Sequence, residues 1–186
     1  MKPQVTVQLL RLGDESRQTT RRLLCELLAA RLDCSVTDVV IRTGTNGKPS
    51  LVSGGLEFSL AHSGDWCALA FSADCPVGVD VELIHAQPGL EAVVAEFFPP
   101  EAQREFTATP VSAQPAVFFR WWTRLEAAVK ACGGRLDDAH CYLSRVRHKS
   151  FHCAPGLALC VATRSSSAPI VELRPAKGLH CFEERN

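Results

Sequence analysis

Residues 77–83 read Val77-Gly78-Val79-Asp80-Val81-Glu82-Leu83. Alternation of apolar and acidic residues is the period of a strand, whose successive side chains point to opposite faces. Val79 and Val81 then share one face, and Asp80 and Glu82 share the other. Two carboxylates about 7 Å apart on a rigid strand suit a hard cation such as magnesium, which takes oxygen ligands and keeps several waters. An amphipathic strand with a solvated acidic face has the same pattern, and the stretch alone does not choose between them.

Toward the C-terminus, Phe97-Phe98 precede Pro99-Pro100, and proline is tolerated in a first helical turn, so a helix is expected from there to Phe106. Residues 107–114 read as a loop. Pro115 opens a long helix that closes at Gly133-Gly134. At ~100° per residue, Phe118, Trp121, Leu125, Val129 and Cys132 form its core stripe, while Arg120, Arg124, Ala127 and Ala131 are expected to face solvent. Between them runs a third stripe of Phe119, Trp122, Glu126 and Lys130. Glu126 and Lys130 are either a helix-surface ion pair worth ~0.3–0.5 kcal/mol or a partly buried pair at a site. Strand-like pieces follow near residues 141–146, 157–163 and 169–173.

Toward the N-terminus, residues 67–72 and 57–60 read as strands joined through Ser59-Leu60-Ala61-His62-Ser63-Gly64-Asp65. That connection offers a histidine, a serine and flexible backbone, which can hold a phosphate; it is equally an ordinary turn with His62 in solvent. Further back, Asn46-Gly47-Lys48-Pro49 is a turn preceded by Arg42 and a strand at 39–41. Its glycine lets backbone approach a ligand and its proline stiffens the turn. A plain hairpin turn would look the same. Leu23, Leu24, Leu27, Leu28 and Leu32 stripe a helix over 16–32, capped by Asp14 or Ser16, and residues 4–10 make a first strand. The order is α+β, with an echo of two similar halves, residues 1–75 and 76–186, joined near Cys75-Pro76 and packed as one unit.

Twenty basic and twenty acidic residues balance to a net charge of zero over 186 residues, which argues against a non-specific nucleic-acid binder. Any anion site is therefore local. Hydrophobic residues at 46% supply a core, no apolar run spans a bilayer, and Met1-Lys2-Pro3-Gln4 lacks the apolar stretch of a signal peptide. A cytoplasmic protein without membrane contact is expected. The nine cysteines are odd in number and show no CxxC spacing. His148, His152 and Cys153 are the zinc candidates; the expectation is instead a reduced protein whose thiols, Cys67, Cys141 and Cys160 among them, sit in strands as small hydrophobes.

Taken in order, Gly47-Lys48-Pro49, then Ser59-Leu60-Ala61-His62-Ser63, then Val77 to Glu82, then Trp122-Thr123-Arg124-Leu125-Glu126-Ala127-Ala128-Val129-Lys130 resemble the 4′-phosphopantetheinyl transferases. The type is the one that activates peptide and polyketide synthetases and siderophore pathways. Phe97-Phe98 also resembles the family's segment after the metal strand. The resemblance covers roughly residues 42–136, and the tail beyond Arg135 matches little.

The resemblance implies two similar α/β halves packed as a pseudo-dimer, with coenzyme A between them. It implies transfer of the coenzyme's phosphopantetheine arm to a serine of an apo acyl or peptidyl carrier protein, releasing adenosine 3′,5′-bisphosphate. Asp80, Glu82 and Glu126 would surround Mg²⁺, Glu126 would activate the serine, and Lys130 would hold phosphate oxygens. His62, with Ser63 nearby, would contact the 3′-phosphate, while Gly47, Lys48 and Pro49 would line the adenine side and Arg42 add charge. The protein is expected to be a monomer. Phosphoryl-type transfer is catalysed by positioning and charge neutralisation, and the sequence offers one candidate set for each role. The chain departs from the family in having Leu125 where a lysine usually precedes the helix glutamate. Its segment before the first helix is short, with Arg17, Arg21 or Arg22 as candidates to replace basic residues of larger relatives. A binding-only pseudo-enzyme and a magnesium-dependent phosphohydrolase are the alternatives.

Overall fold

In the computed structural model, which describes residues 1–12, 17–154, 156–177 and 179–184, the chain builds two four-stranded sheets and a small hairpin. The first half supplies β1 (Gln4–Arg11), α1 (Arg17–Leu32), the hairpin of β2 (Ile41–Thr43) and β3 (Pro49–Leu51), β4 (Glu57–Ser63) and β5 (Trp66–Ser72). The second supplies β6 (Val77–Leu83), α2 (Leu90–Phe97), α3 (Pro100–Ala108), α4 (Gln114–Cys132) and α5 (Ala139–Leu143). It ends in β7 (Arg147–Ala154), β8 (Leu157–Thr163), β9 (Ile170–Arg174) and β10 (His180–Glu183). The fold class is α+β.

The first sheet runs β4-β5-β1-β9 and the second β10-β7-β8-β6. The step from residue 75 to 76 separates the two, except that β9 returns to pair parallel with β1, Val5 opposite Val171. The main core lies between the sheets. Val77, Val79 and Val81 of β6 meet Val5, Val7 and Leu9 of β1 and Leu157, Leu159 and Val161 of β8. Each such side chain contributes roughly 1.5–3 kcal/mol by leaving water. A second core forms where Leu24 and Leu28 of α1 cover Phe58, Leu69 and Phe71. The proposed caps of this helix, Asp14 and Ser16, lie outside the described residues.

The other face of β6 is covered by α4. Pro115 stands in the first turn of α4; Gly133, at φ 63°, ends it, and the Gly134 amide donates back to the Val129 carbonyl. A single core stripe was too simple. Arg124, Ala127 and Ala131 are buried, not solvent-facing. The alanines press on β6 and β8, and Arg124 donates to Ser150 Oγ (2.9 Å) and Glu184 (3.1 Å). Arg120 is held by Glu105, which also accepts from the Trp121 indole at 2.8 Å.

Residues 141–146 are not a strand: α5 covers the first part, Cys141 is exposed, and the strand begins at Arg147. Cys153 and Cys181, opposite each other on β7 and β10, form a disulfide, so the fully reduced expectation fails for this pair. The zinc alternative also dissolves, because Cys153 is consumed and points to the face of β7 opposite His148 and His152. Among the described residues no helix is long and apolar enough to cross a membrane.

Candidate active site

Asp80 reaches the seam between β6 and α4. The residue is 4% exposed, so a solvated acidic face is not what the alternation encodes at Asp80. Oδ1 accepts from Lys130 Nζ at 2.6 Å, while Oδ2 is buried with no hydrogen-bond partner. Burial, reinforced by Glu126 and Glu82, pushes Asp80 up to about 7 against the opposing pull of Lys130. Lys130 also stands 3.9 Å from Glu126, one helical turn away, so it bridges strand and helix carboxylates. The partly buried alternative for this pair is the one that forms.

Glu82 lies two residues along the same face of β6. Burial raises its carboxyl above the usual range; Ser63, donating to Oε2 at 2.6 Å, and Lys130 work the other way. Fully ionised, these three carboxylates face one ammonium. Among the described residues, no three His, Cys, Asp or Glu side chains already close around one point. A hard divalent cation nevertheless fits the chemistry: oxygen donors only, excess negative charge, and a buried acceptor oxygen without a partner.

Two cavities share a wall, and one of them adjoins this cluster. That one, about 470 Å³, is lined by Gly47, Lys48 and Pro49 from the hairpin and by Glu126, Val129 and Lys130 from α4. Asn46 clips the hairpin to the helix end by donating to the Gly133 carbonyl at 2.8 Å. Lys48 reaches the Val77 carbonyl (3.3 Å) and Glu57 (3.8 Å); burial lowers its pKa, with Glu57 partly opposing. The other cavity, about 630 Å³, is lined by Thr20, Arg21 and Leu24 of α1, by Ile41 and Pro49, and by Leu60 and His62 of β4. Pro49 and Leu60 line both, so the two are neighbouring parts of one cleft, the larger part lined by the first half alone and the smaller part by both halves.

His62 is thus on a strand, not in a loop, and its Nε2 lies 3.3 Å from Thr20 Oγ1. Ser63, its neighbour, points to the other face of β4, where its hydroxyl accepts from the Leu83 amide (3.0 Å) and donates to Glu82. Arg42 is exposed, bonds Ser50 at 3.4 Å and lines neither cavity. Arg22 pairs outward with Glu26 at 3.2 Å, and the Arg17 side chain lies outside the described residues. Arg21 lines the larger cavity. Its spacing carried the signal: Arg21, Leu24 and Leu28 fall on one helical face. Leu125, fully buried in the core, stands away from the carboxylates, so the family's missing lysine leaves no gap in this cluster. Phe97 and Trp122, edge to face at 6.2 Å, wall the side beyond Glu126.

Comparison with known proteins identifies the family. The profile of the 4′-phosphopantetheinyl transferase superfamily matches residues 76–171. The match runs well past Arg135, into the tail where the sequence resemblance found little; residues 42–75 lie outside it. The chain is 32% identical over 114 residues to the 4′-phosphopantetheinyl transferase psf-1 of Bacillus pumilus, covering 61% of this chain and 46% of the relative. It is 39% identical over 92 residues to AcpT of Salmonella typhimurium, covering 49% and 48%, respectively. With AcpT of Escherichia coli O157:H7 the identity is 37% over 135 residues, covering 64% of this chain and 65% of that one. The chain therefore spans about half to two thirds of the length of these curated relatives. The matched segment, which includes β6 and α4, covers more than half of the sequence; the chain belongs to the 4′-phosphopantetheinyl transferase superfamily.

Proposed function

We propose that the chain is a holo-carrier-protein synthase, which transfers the 4′-phosphopantetheine arm of coenzyme A to a serine hydroxyl of an apo acyl or peptidyl carrier protein. The observation that carries the reading is the buried Asp80 carboxylate, one oxygen on Lys130 and the other bare, beside Glu126 at the edge of a two-chambered cleft.

Coenzyme A would lie along the cleft. Gly47, Lys48 and Pro49 would flank the adenine, and Arg21 and His62 would meet the 3′-phosphate. Its pyrophosphate would reach Lys130. Asp80, Glu82 and Glu126 would hold Mg²⁺, which when bound neutralises charge on the pyrophosphate. Glu126 takes the proton of the incoming serine as its oxygen attacks the β-phosphorus. A phosphorus–oxygen bond forms to the serine, and the bond to the bridging pyrophosphate oxygen breaks. Adenosine 3′,5′-bisphosphate leaves with that electron pair, steadied by Lys130. We further place the protein in the cytoplasm as a monomer.

The test is intact-mass analysis of an apo carrier protein incubated with this chain, coenzyme A and Mg²⁺. The expected result is a gain of one phosphopantetheine, lost when Glu126→Gln replaces the wild type. Tight coenzyme A binding without any mass gain would overturn the transferase reading in favour of a binding module.

A further inference from the structure

Ser59 and Ser63 stand four residues apart on the face of β4 that meets β6. Their hydroxyls accept from the amides of Val79 (3.1 Å) and Leu83 (3.0 Å), also four residues apart. Among the described residues β6 is an edge strand, paired with β8 on one side, so its outward amides need acceptors from elsewhere. The two serines supply them and join the halves. Ser63 does one thing more: its single proton goes to Glu82 Oε2 at 2.6 Å. Gly64, at φ 53°, makes room for this approach, because a Cβ there would come within 2.6 Å of Leu83 Cδ1.

We propose that Ser63 is a positioning residue for Glu82: one hydroxyl from the first half fixes the carboxylate that the second half offers to the metal. The inference rests on the transferase reading of Asp80, Glu82 and Glu126. It takes Ser63 out of coenzyme binding. Its donor is spent on Glu82, and its side chain leaves β4 on the face opposite His62 and the larger cavity. Ser59 is the internal control: its hydroxyl oxygen likewise accepts from an amide 20 residues ahead, that of Val79, and among the hydrogen bonds of the described residues it has no carboxylate partner.

The experiment measures Mn²⁺ binding to the coenzyme-free protein by electron paramagnetic resonance, together with coenzyme A binding in metal-free buffer and thermal midpoints. Ser63→Ala should weaken Mn²⁺ binding by roughly 10-fold or more, the scale for losing a group that orients a metal ligand. Ser63→Thr, which keeps the hydroxyl, should restore it to within about 3-fold. Ser59→Ala should lower the thermal midpoint as Ser63→Ala does, yet leave Mn²⁺ affinity unchanged. Metal-free coenzyme A affinity should be the same in wild type and Ser63→Ala. If Ser63→Ala does not fold, Ser63→Cys, of similar shape and with a weak donor, carries the same comparison. Unchanged Mn²⁺ affinity, or weakened metal-free coenzyme binding, in the Ser63 variant overturns the inference while the transferase reading stands. A wild type that binds no Mn²⁺ overturns both.

Discussion

Gly78 of β6 lies directly beneath the backbone of Ala127 on α4. A Cβ on Gly78 would overlap the Ala127 carbonyl and come within 2.5 Å of the Ala131 amide nitrogen. Strand and helix backbones meet here with nothing between them, two residues before Asp80 and about one turn of helix from Lys130. The 2.6 Å contact from Lys130 to Asp80 depends on that approach.

Gly78→Ala should therefore cost more than an ordinary overpacked side chain. Overpacking typically costs about 1–3 kcal/mol, and a backbone obstacle cannot change rotamer, so the loss should fall at the upper end. Urea unfolding measures it. Transfer activity should fall in the fraction that remains folded, because α4 must back away from β6. A variant as stable and active as wild type would show that the helix has room to yield.

Asp80→Asn separates chemistry from folding. The carboxylate is buried, and one of its oxygens has no partner, so its charge is a burden in the metal-free protein. The amide keeps an oxygen for Lys130 and removes the charge. The expected outcome is loss of transfer by about 10²-fold or more with a metal-free thermal midpoint equal to or above wild type. Calorimetry and the intact-mass assay read the two effects; a variant that unfolds well below wild type would make Asp80 a structural ion-pair member first.

The strand carrying Asp80 was legible because its period is short and local. Val77 to Leu83 came out with the expected bounds. The pairing of Glu126 with Lys130 followed from helical spacing alone. The departures have separate physical causes. A helical wheel assumes one apolar face, and α4 is enclosed by β6, β8 and β7, so Arg124, Ala127 and Ala131 go inside. Small alanines next to a glycine-bearing strand were the available hint of close packing. Leu90 to Phe97 was missed as a helix because it starts from Gly89 at φ 83° without a side-chain cap. Cys153 and Cys181 are 28 residues apart in sequence, and only the β7–β10 register brings them face to face. His62 and Ser63 are neighbours in sequence, and the strand sends their side chains to opposite faces.

Arg21 and Arg22 provide a paired test of the cleft. Arg21 lines the larger cavity with Thr20 and His62, while Arg22 is turned toward Glu26. Arg21→Ala should weaken coenzyme A by about 1.5–3 kcal/mol, the range for hydrogen bonds to charged groups, and should barely change dephospho-coenzyme A. Arg22→Ala should leave both ligands alone. Calorimetric titration of the two ligands against the two variants decides it. Equal losses for both ligands in Arg21→Ala would move the 3′-phosphate elsewhere.

His148 predicts how the fold responds to acid. It sits half-buried on β7, on the face that meets α4. Burial first, then the charges of Arg124 and Arg147, lower its pKa from 6.5 to about 4. The unfolded chain therefore binds a proton near pH 6.5 that the folded chain refuses until about pH 4. Between those values the unfolded state holds more protons, so stability is complete above pH 6.5 and declines as pH falls toward 4. A fully buried ring with this shift would account for about 3 kcal/mol; with the ring partly open to solvent, about 1–2 kcal/mol is expected. Asp80 and Glu82, raised by burial, contribute with the opposite sign, so the informative quantity is a difference between proteins. His148→Asn should flatten the acid side: its stability relative to wild type should rise by about 1–2 kcal/mol on going from pH 7 to pH 4.5. Urea unfolding of both proteins at those two pH values measures it. Parallel losses in the two proteins would mean that His148 is protonated in the folded state without penalty and that the arginines beside it are screened by solvent.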